Sequence, residues 1–245
     1  MVIKKGIKGI IGVLSVGMLC GSCQEDLIEY SNGDYRIKIE AGDEWKHDYD
    51  LFLGMKKKNP PQIAIWLEDM GGNYLTTLYV SYKAGKQKWS GGEKRKEALP
   101  YWNHIRLPFQ PGEPIPDGYT GATTQKPVPD AVTGATPNGN FDLKMLPNKS
   151  LEKFIIKAEF NHSKDWNDDY PKTAVFGEDN YSAESGQPAV IYQAIIDTTS
   201  GKKEYTMEMI GHSSPDGSDG KLYQDVSGLT TAKNIVKRIT IKVQD

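Results

Sequence analysis

The chain has 245 residues, of which 38% are hydrophobic, and its 30 basic and 32 acidic side chains give a formal net charge of −2 at pH 7. This length and apolar content are enough for one large or two small globular domains. The nearly balanced charge leaves no basic excess of the kind that binds a phosphate backbone, so nucleic acid is a poor candidate partner.

Residues 1–22 have the layout of a secretory signal. Three lysines precede an apolar run from Ile10 to Leu19, and two small residues lie directly before Cys23. The apolar run is about half as long as a bilayer-spanning helix requires, so a removable signal is favoured over a permanent anchor. Cys23 resembles the lipidated cysteine of bacterial lipoproteins, although Cys20 replaces the usual aliphatic residue three positions upstream.

The residues after Cys23 indicate where the protein is delivered. Gln24-Glu25-Asp26 resembles the acidic export signal that sends lipoproteins of the Bacteroidetes to the outer cell surface. We expect residues 23–33 to form a polar tether and residues 34–245 a single domain outside the cytoplasm. The domain would be lipid-anchored to the outer membrane, on its periplasmic face or at the cell surface. A plainly secreted protein or an uncleaved anchor is the alternative.

The cysteine count excludes several kinds of site. The chain has two cysteines, Cys20 and Cys23, and both belong to the predicted leader or its lipidation site. The mature domain is therefore predicted to have no disulfide, thiolate metal site, haem attachment or cysteine nucleophile. Its stability must come from burial.

Alternating hydrophobicity predicts a series of strands. From Tyr35 to Ala41 apolar residues alternate with charged ones, as in a half-buried strand. Further strands are predicted at 62–69, 74–82, 152–160, 189–198, 204–211 and 236–243. The glycines within Asp69–Asn73 predict a hairpin turn between the strands 62–69 and 74–82.

Helical periodicity is nearly absent, and the best candidate, 229–237, is barely two turns long. Many strands without alternating helices predict a mostly β fold, an immunoglobulin-like antiparallel β-sandwich with very little helix. Residues 86–150 differ because prolines recur throughout them and strand signals are few. This region is expected to be a long irregular insertion, of the kind that is usually functional or disordered.

Trp66 interrupts the pattern of its strand. It faces opposite to Ile63, Ile65 and Leu67 on the segment 62–69. The sequence therefore predicts either a second buried surface behind this strand or an exposed aromatic binding face.

One eight-residue pattern occurs twice in the irregular region. Residues 116–123 and 129–136 both read P-D-x-x-T-G-A-T. The pattern resembles D-x-x-[ST]-G-A-[TS], the recognition motif of the periplasmic flavin transferase, which joins FMN through a phosphoester to the last hydroxyl residue. The resemblance implies that Thr123 and Thr136 are the acceptors.

The neighbours of each acceptor suit that reaction. Small residues and a mobile backbone would let the hydroxyl enter the active site of another enzyme. The accompanying motif residues are Asp117, Gly121, Ala122, Asp130, Gly134 and Ala135. FMN attached in this way supports electron transfer without diffusing away. In the alternative interpretation, both segments are ordinary turns that cap one end of the sandwich.

Other polar clusters are weaker candidates. Residues 165–170 combine acids and aromatics as in a sugar-binding loop, but a solvated loop is the more ordinary interpretation. Residues 216–220 offer oxygen ligands for calcium but lack the later carboxylate of a calcium loop. The histidines are far apart in sequence, so no metal site is predicted unless the fold brings them together. They are His47, His104, His162 and His212.

Several segments together resemble one uncharacterised periplasmic family, called domain of unknown function 2271. They are 59–81, 97–102, 129–139, 160–171, 185–197 and 220–243. The resemblance implies an immunoglobulin-like fold similar to part of the flagellar hook-capping protein, and an association with flavin transferase and membrane redox proteins. The copy at 117–123 lies outside the family pattern, so Thr136 ranks before Thr123 as the acceptor.

The sequence thus predicts a lipid-anchored, extracytoplasmic β-sandwich that carries covalent FMN for electron transfer and has no catalytic or metal-binding residues of its own. The alternative is a cofactor-free surface module that binds glycan or protein through the loops at 86–150 and 161–188. A hydrolase ranks third, because no pair of nucleophile and base is apparent.

Overall fold

The computed structural model describes residues 28–50, 53, 55–89, 92–106, 132–134 and 136–245. The predicted signal, the lipidation site Cys23 and the first P-D-x-x-T-G-A-T copy lie outside the described residues. The strands are β1 (Tyr35–Ala41), β2 (His47–Asp50), β3 (Lys56–Asn59), β4 (Gln62–Glu68), β5 (Tyr74–Ser81), β6 (Val132–Gly134), β7 (Phe141–Met145), β8 (Lys153–Asn161), β9 (Val190–Asp197), β10 (Glu204–Thr206), β11 (Glu208–His212) and β12 (Val236–Val243). Two helices, α1 (Tyr82–Lys86) and α2 (Pro100–Ile105), and a 3-10 helix, Thr231–Asn234, complete the described elements.

The strands form two larger sheets and a hairpin. One sheet has six strands in the order β11-β9-β8-β4-β5-β6, and the other has four in the order β10-β12-β1-β7. β2 and β3 form a separate antiparallel hairpin. Neighbouring strands are antiparallel except β5 and β6, which are parallel.

The main core lies between the two larger sheets. Ile37 of β1 and Ile239 of β12 are fully buried on one side, as are Ile65 of β4 and Ile156 of β8 on the other. β1 buries every second residue from Tyr35 to Ile39, because successive side chains of a strand point to opposite faces. The predicted β-sandwich with little helix is confirmed.

A second, smaller core covers the outer face of the six-stranded sheet. Every residue of β4 is buried, which requires cover on both faces. On the outer face Trp66 packs in one cluster with Leu99 and Trp102, which come from α2 and the residue before it. Of the two interpretations offered for Trp66, the structure shows the second buried surface.

Helix α2 is fixed to the sheet by a buried carboxyl group. Pro100 occupies its first turn, where a missing N–H costs nothing, and Glu159 of β8 accepts hydrogen bonds from the backbone N–H of Tyr101 at 3.2 Å and of Trp102 at 2.8 Å. Lys157, also on β8, forms a 2.8 Å ion pair with the fully buried Glu68. This packing explains a helix in a segment whose sequence predicted none.

The strands predicted outside the proline-rich region agree with the structure, except that one predicted strand is two separate strands. The segment 204–211 is two strands, because β10 pairs with β12 of the four-stranded sheet whereas β11 pairs with β9 of the six-stranded sheet. The helical candidate 229–237 is a single 3-10 turn followed by β12. In the part of the chain that the structure describes, none of the helices has the length and apolar character needed to cross a membrane.

Candidate functional site

Three residues of the second P-D-x-x-T-G-A-T copy form a strand at the edge of the six-stranded sheet. Its residues Val132–Gly134 form β6, which pairs with Tyr79–Ser81 so that Gly134 lies opposite Ser81. The acceptor candidate Thr136 lies two residues after the end of β6 and is half-buried. The carbonyl of the next residue, Pro137, accepts a hydrogen bond from Trp45 Nε1 at 3.0 Å. The end of the motif is therefore attached to the body of the sandwich.

Most of the other predicted flavin-site residues are not described. Thr123, Asp117, Gly121, Ala122, Asp130 and Ala135 lie outside the described residues. Gly134 and Thr136 can therefore be placed, and both belong to the copy that fits the family pattern.

The helix next to β6 exposes one aromatic and one basic side chain. Helix α1 begins directly after Ser81 and contacts β6. Its first residue, Tyr82, is 45% exposed, and the neighbouring Lys83 is exposed as well. An exposed aromatic ring suits an isoalloxazine and a lysine suits a phosphodiester. Sequence reasoning missed both residues because α1 shows no motif.

The fold also brings together two histidines that are far apart in sequence. The rings of His47 and His162 lie 5.3 Å apart between centroids, and His47 Nδ1 is 3.8 Å from Asp165 Oδ1. His162 Nε2 donates a 2.8 Å hydrogen bond to the carbonyl of Glu44. Burial lowers the pKa of His162 to about 3, so this imidazole is neutral at physiological pH.

The buried Asp165 attaches the loop 161–188 to the segment around Thr231 through hydrogen bonds. Thr231 Oγ1 donates to Asp165 Oδ1 at 2.5 Å, and Gln187 Nε2 donates to Thr231 Oγ1. Burial raises the pKa of Asp165. Gly186 packs directly on this aspartate, where a Cβ atom would lie 2.4 Å from the Asp165 carbonyl oxygen. These contacts are structural, and the described residues contain no group of three or more His, Cys, Asp or Glu that could hold a metal ion.

The other acidic residues that the sequence offered as candidates are either exposed to solvent or hydrogen-bonded within turns. Asp168 and Asp169 are exposed. In the proposed calcium loop, Asp216 Oδ1 accepts from the N–H of Ser218 and Asp219 Oδ1 accepts from that of Lys221. These carboxylates satisfy their own backbone, as turn aspartates commonly do.

A cleft of about 490 Å³ opens on the surface of the loop 161–188. We call it the Trp166 cleft, and its lining includes Trp166, Tyr181, Asp48, Glu184, Lys164 and Lys172. Aromatic rings with charged groups of both signs favour a ligand that stacks and hydrogen-bonds and carries no strong net charge. Residues 165–170 thus contribute to this cleft through Trp166, whereas Asp165 lies beneath the loop.

No protein-family model matches this chain, and no curated protein or solved structure matches it either. The functional interpretation therefore depends on the sequence motifs and on the geometry of the described residues.

Proposed function

We propose that the mature protein is an extracytoplasmic, lipid-anchored flavoprotein of the domain of unknown function 2271 type. It carries FMN in phosphoester linkage to Thr136 or Thr123 and relays electrons between membrane redox proteins and an external acceptor. The observation that carries this proposal is that Val132–Gly134 of the second motif copy form an edge strand contacted by α1, whose first residue is the exposed Tyr82. The half-buried Thr136 follows two residues after this strand.

The attachment chemistry requires only a reachable hydroxyl on this chain. The threonine Oγ would form a bond to the FMN phosphorus and displace the leaving group of an activated flavin nucleotide, and the hydroxyl proton would be released. A periplasmic flavin transferase would supply the catalytic groups. Once attached, FMN supplies the redox chemistry, and the protein supplies its position.

The chain's own residues would hold the flavin at the sheet edge. Tyr82 offers an aromatic face, and Lys83 offers a positive charge to the phosphodiester. The lipid on Cys23 would keep the domain near membrane redox partners, which raises their effective concentration.

The test is the intact mass and a peptide map of the full chain co-expressed with an exported flavin transferase. We expect an FMN-sized mass increment, together with visible flavin absorbance. Thr136→Ala should remove the increment if Thr136 is the acceptor, and Thr123→Ala should remove it if Thr123 is.

Matched controls are Thr133→Ala and Thr120→Ala, which change the other threonine of each motif and leave the terminal hydroxyl in place. A protein that remains unmodified beside an active transferase, with a known substrate of that transferase modified in the same cells, would contradict the carrier proposal.

The Trp166 cleft favours a second candidate function, a surface module that binds glycans. Aromatic platforms edged by carboxylates and amines match the faces and hydroxyls of sugar rings. We expect neutral oligosaccharides to raise the melting temperature, and Trp166→Ala to abolish that shift. Tyr82→Ala, which alters an exposed ring elsewhere, serves as the control. Oligosaccharides that leave both proteins unshifted would remove this candidate.

A further inference from the structure

A second cleft lies between the segments 170–179 and 212–225, and it has a cavity volume of about 650 Å³. We call it the His212 cleft. Its described lining includes neither the described motif residues nor Trp166, and its ligand is inferred independently of the flavin proposal. A volume of this size accommodates a small organic ligand.

The charge of the lining restricts the ligand. Four carboxylates line the His212 cleft, those of Glu178, Asp179, Asp216 and Asp225, and no described lysine or arginine does. Ionised carboxylates are acceptors of hydrogen bonds and attract cations, so phosphates, carboxylates and FMN itself are disfavoured. A ligand here must supply donors and positive charge.

A buried histidine, His212, distinguishes this cleft from an ordinary acidic surface. It lines the cleft but is only 5% exposed. Its Nδ1 lies 2.7 Å from the carbonyl oxygen of Ser213, which can only accept, so Nδ1 carries the proton. In the neutral ring Nε2 then has the lone pair, and it has no hydrogen-bond partner among the described residues. Nε2 is thus the acceptor that His212 presents to a ligand.

The surrounding residues hold this imidazole in place. Tyr223 stacks on it with ring centroids 5.4 Å apart and an interplanar angle of 11°, and Tyr170 meets it edge-on at 6.5 Å. The backbones of His212 and Tyr223 exchange two hydrogen bonds, of 2.8 and 2.9 Å. The acceptor and the aromatic wall are therefore already arranged before a ligand arrives, which lowers the cost of binding.

We propose that the His212 cleft binds a small organic cation that carries a primary ammonium group on a hydroxylated body, as an amino sugar does. The ammonium group contacts the carboxylates of Asp179 and Asp225, and a hydroxyl group donates to His212 Nε2. The 38% exposed ring of Tyr223 packs against the body of the ligand.

The experiment is a calorimetric titration of the full mature protein in detergent, at fixed ionic strength, with glucosamine, glucose and N-acetylglucosamine as probes. These sugars share a ring and differ in the ammonium group. We expect glucosamine to bind at least tenfold more tightly than either neutral sugar. Equal binding of all three, or no binding of glucosamine, would overturn the proposal.

Variants separate the site from general electrostatic attraction. Asp179→Asn/Asp225→Asn removes two charges while leaving side-chain oxygens for local turns, and it should weaken glucosamine binding at least tenfold. Glu152→Gln/Glu208→Gln removes two charges from exposed positions outside the cleft lining and should leave binding unchanged. An equal loss of glucosamine affinity in both double variants would mean that the sugar is attracted only by the overall negative charge. That result would contradict the proposed site. Unchanged melting temperatures establish that each variant is folded.

Discussion

The buried residue Glu159 makes the stability of the fold depend on pH. Its carboxyl group is enclosed beneath α2, and burial raises its pKa from 4.5 to about 8, against the opposing effect of the N–H groups of Trp102 and Tyr101. Between these two pH values the folded protein binds a proton that the unfolded chain has released. The contribution of Glu159 to stability is therefore complete below pH 4.5 and is lost as the pH rises to about 8.

Replacing Glu159 tests this linkage. Glu159→Gln keeps an oxygen that can accept from the helix N–H groups but cannot ionise. We expect its free energy of unfolding, measured by urea denaturation, to fall less steeply between pH 5 and pH 8 than that of the unaltered protein. Glu152→Gln, at an exposed position, should keep the original slope. Identical slopes for Glu159→Gln and the unaltered protein would show that Glu159 is not protonated in the fold.

The buried ion pair of Lys157 and Glu68 makes a second prediction at the residue scale. Burial acts to lower the pKa of Lys157, but the hydrogen bonds to Glu68 and Tyr101 outweigh it, and the net pKa is raised. Lys157→Met leaves Glu68 buried without its partner, which should cost about 3–5 kcal/mol of unfolding free energy.

The double variant Glu68→Gln/Lys157→Met provides the control for that measurement. It removes both charges, so we expect it to recover much of the loss. Urea denaturation of the two variants and the unaltered protein gives the comparison. A double variant as unstable as Lys157→Met would mean that lost packing, and not the unpaired charge, causes the destabilisation.

At the scale of elements, the loop 161–188 depends on its attachment to the sandwich. Gly186 has a φ of +82° and lies against the backbone of Asp165. An alanine there would combine an unfavourable left-handed conformation with a clash that no side-chain movement relieves. This contact holds Asp165 in place below Trp166, and it therefore shapes the Trp166 cleft.

Gly186→Ala should lower the unfolding free energy by at least about 3 kcal/mol, because the backbone must shift to admit the Cβ atom. Gly201→Ala is the matched control: its φ is +70°, but a Cβ atom meets nothing within 4 Å, so we expect a loss of only about 1 kcal/mol. Thermal denaturation of both variants distinguishes the clash from the conformational strain. Equal losses would contradict the close approach at Gly186.

At the scale of the whole molecule, stability comes from two cores that share the six-stranded sheet. β4 contributes to both, with Ile63 and Ile65 facing the sandwich interior and Trp66 facing α2. Covering both faces lets a single sheet bury more apolar surface than a sandwich with one solvated face. Residues 24–245, which contain no cysteine, can be stabilised in this way.

This reliance on burial predicts insensitivity to reductant. The two cysteines of the chain are Cys20 and Cys23, so no disulfide can form within residues 24–245. We expect the melting temperature of the mature protein to be the same with and without dithiothreitol. A lower value in reductant would indicate that an unlipidated Cys23 links two copies.

The sequence alone determined most of the strands of the two larger sheets and which of their residues face the main core, because alternation with a period of two is a local property of the chain. It did not predict β2 and β3, nor β6 and β7, which lie in the region expected to be irregular. It also determined that residues 24–245 contain no cysteine and that the P-D-x-x-T-G-A-T pattern occurs twice. In β4 it correctly separated Ile63 and Ile65 from Trp66, but it left open what covered the tryptophan.

Tertiary structure alone decided the arrangements that depend on the path of the chain. In the folded protein the segment 204–211 belongs to two different sheets, and α2 packs on Trp66. His47 lies next to His162 and Asp165. Tertiary structure also placed His212 in an acidic cleft. These contacts join residues that are distant in sequence, and no local pattern encodes them, because their energy comes from burial and hydrogen bonding that exist only once both partners are folded.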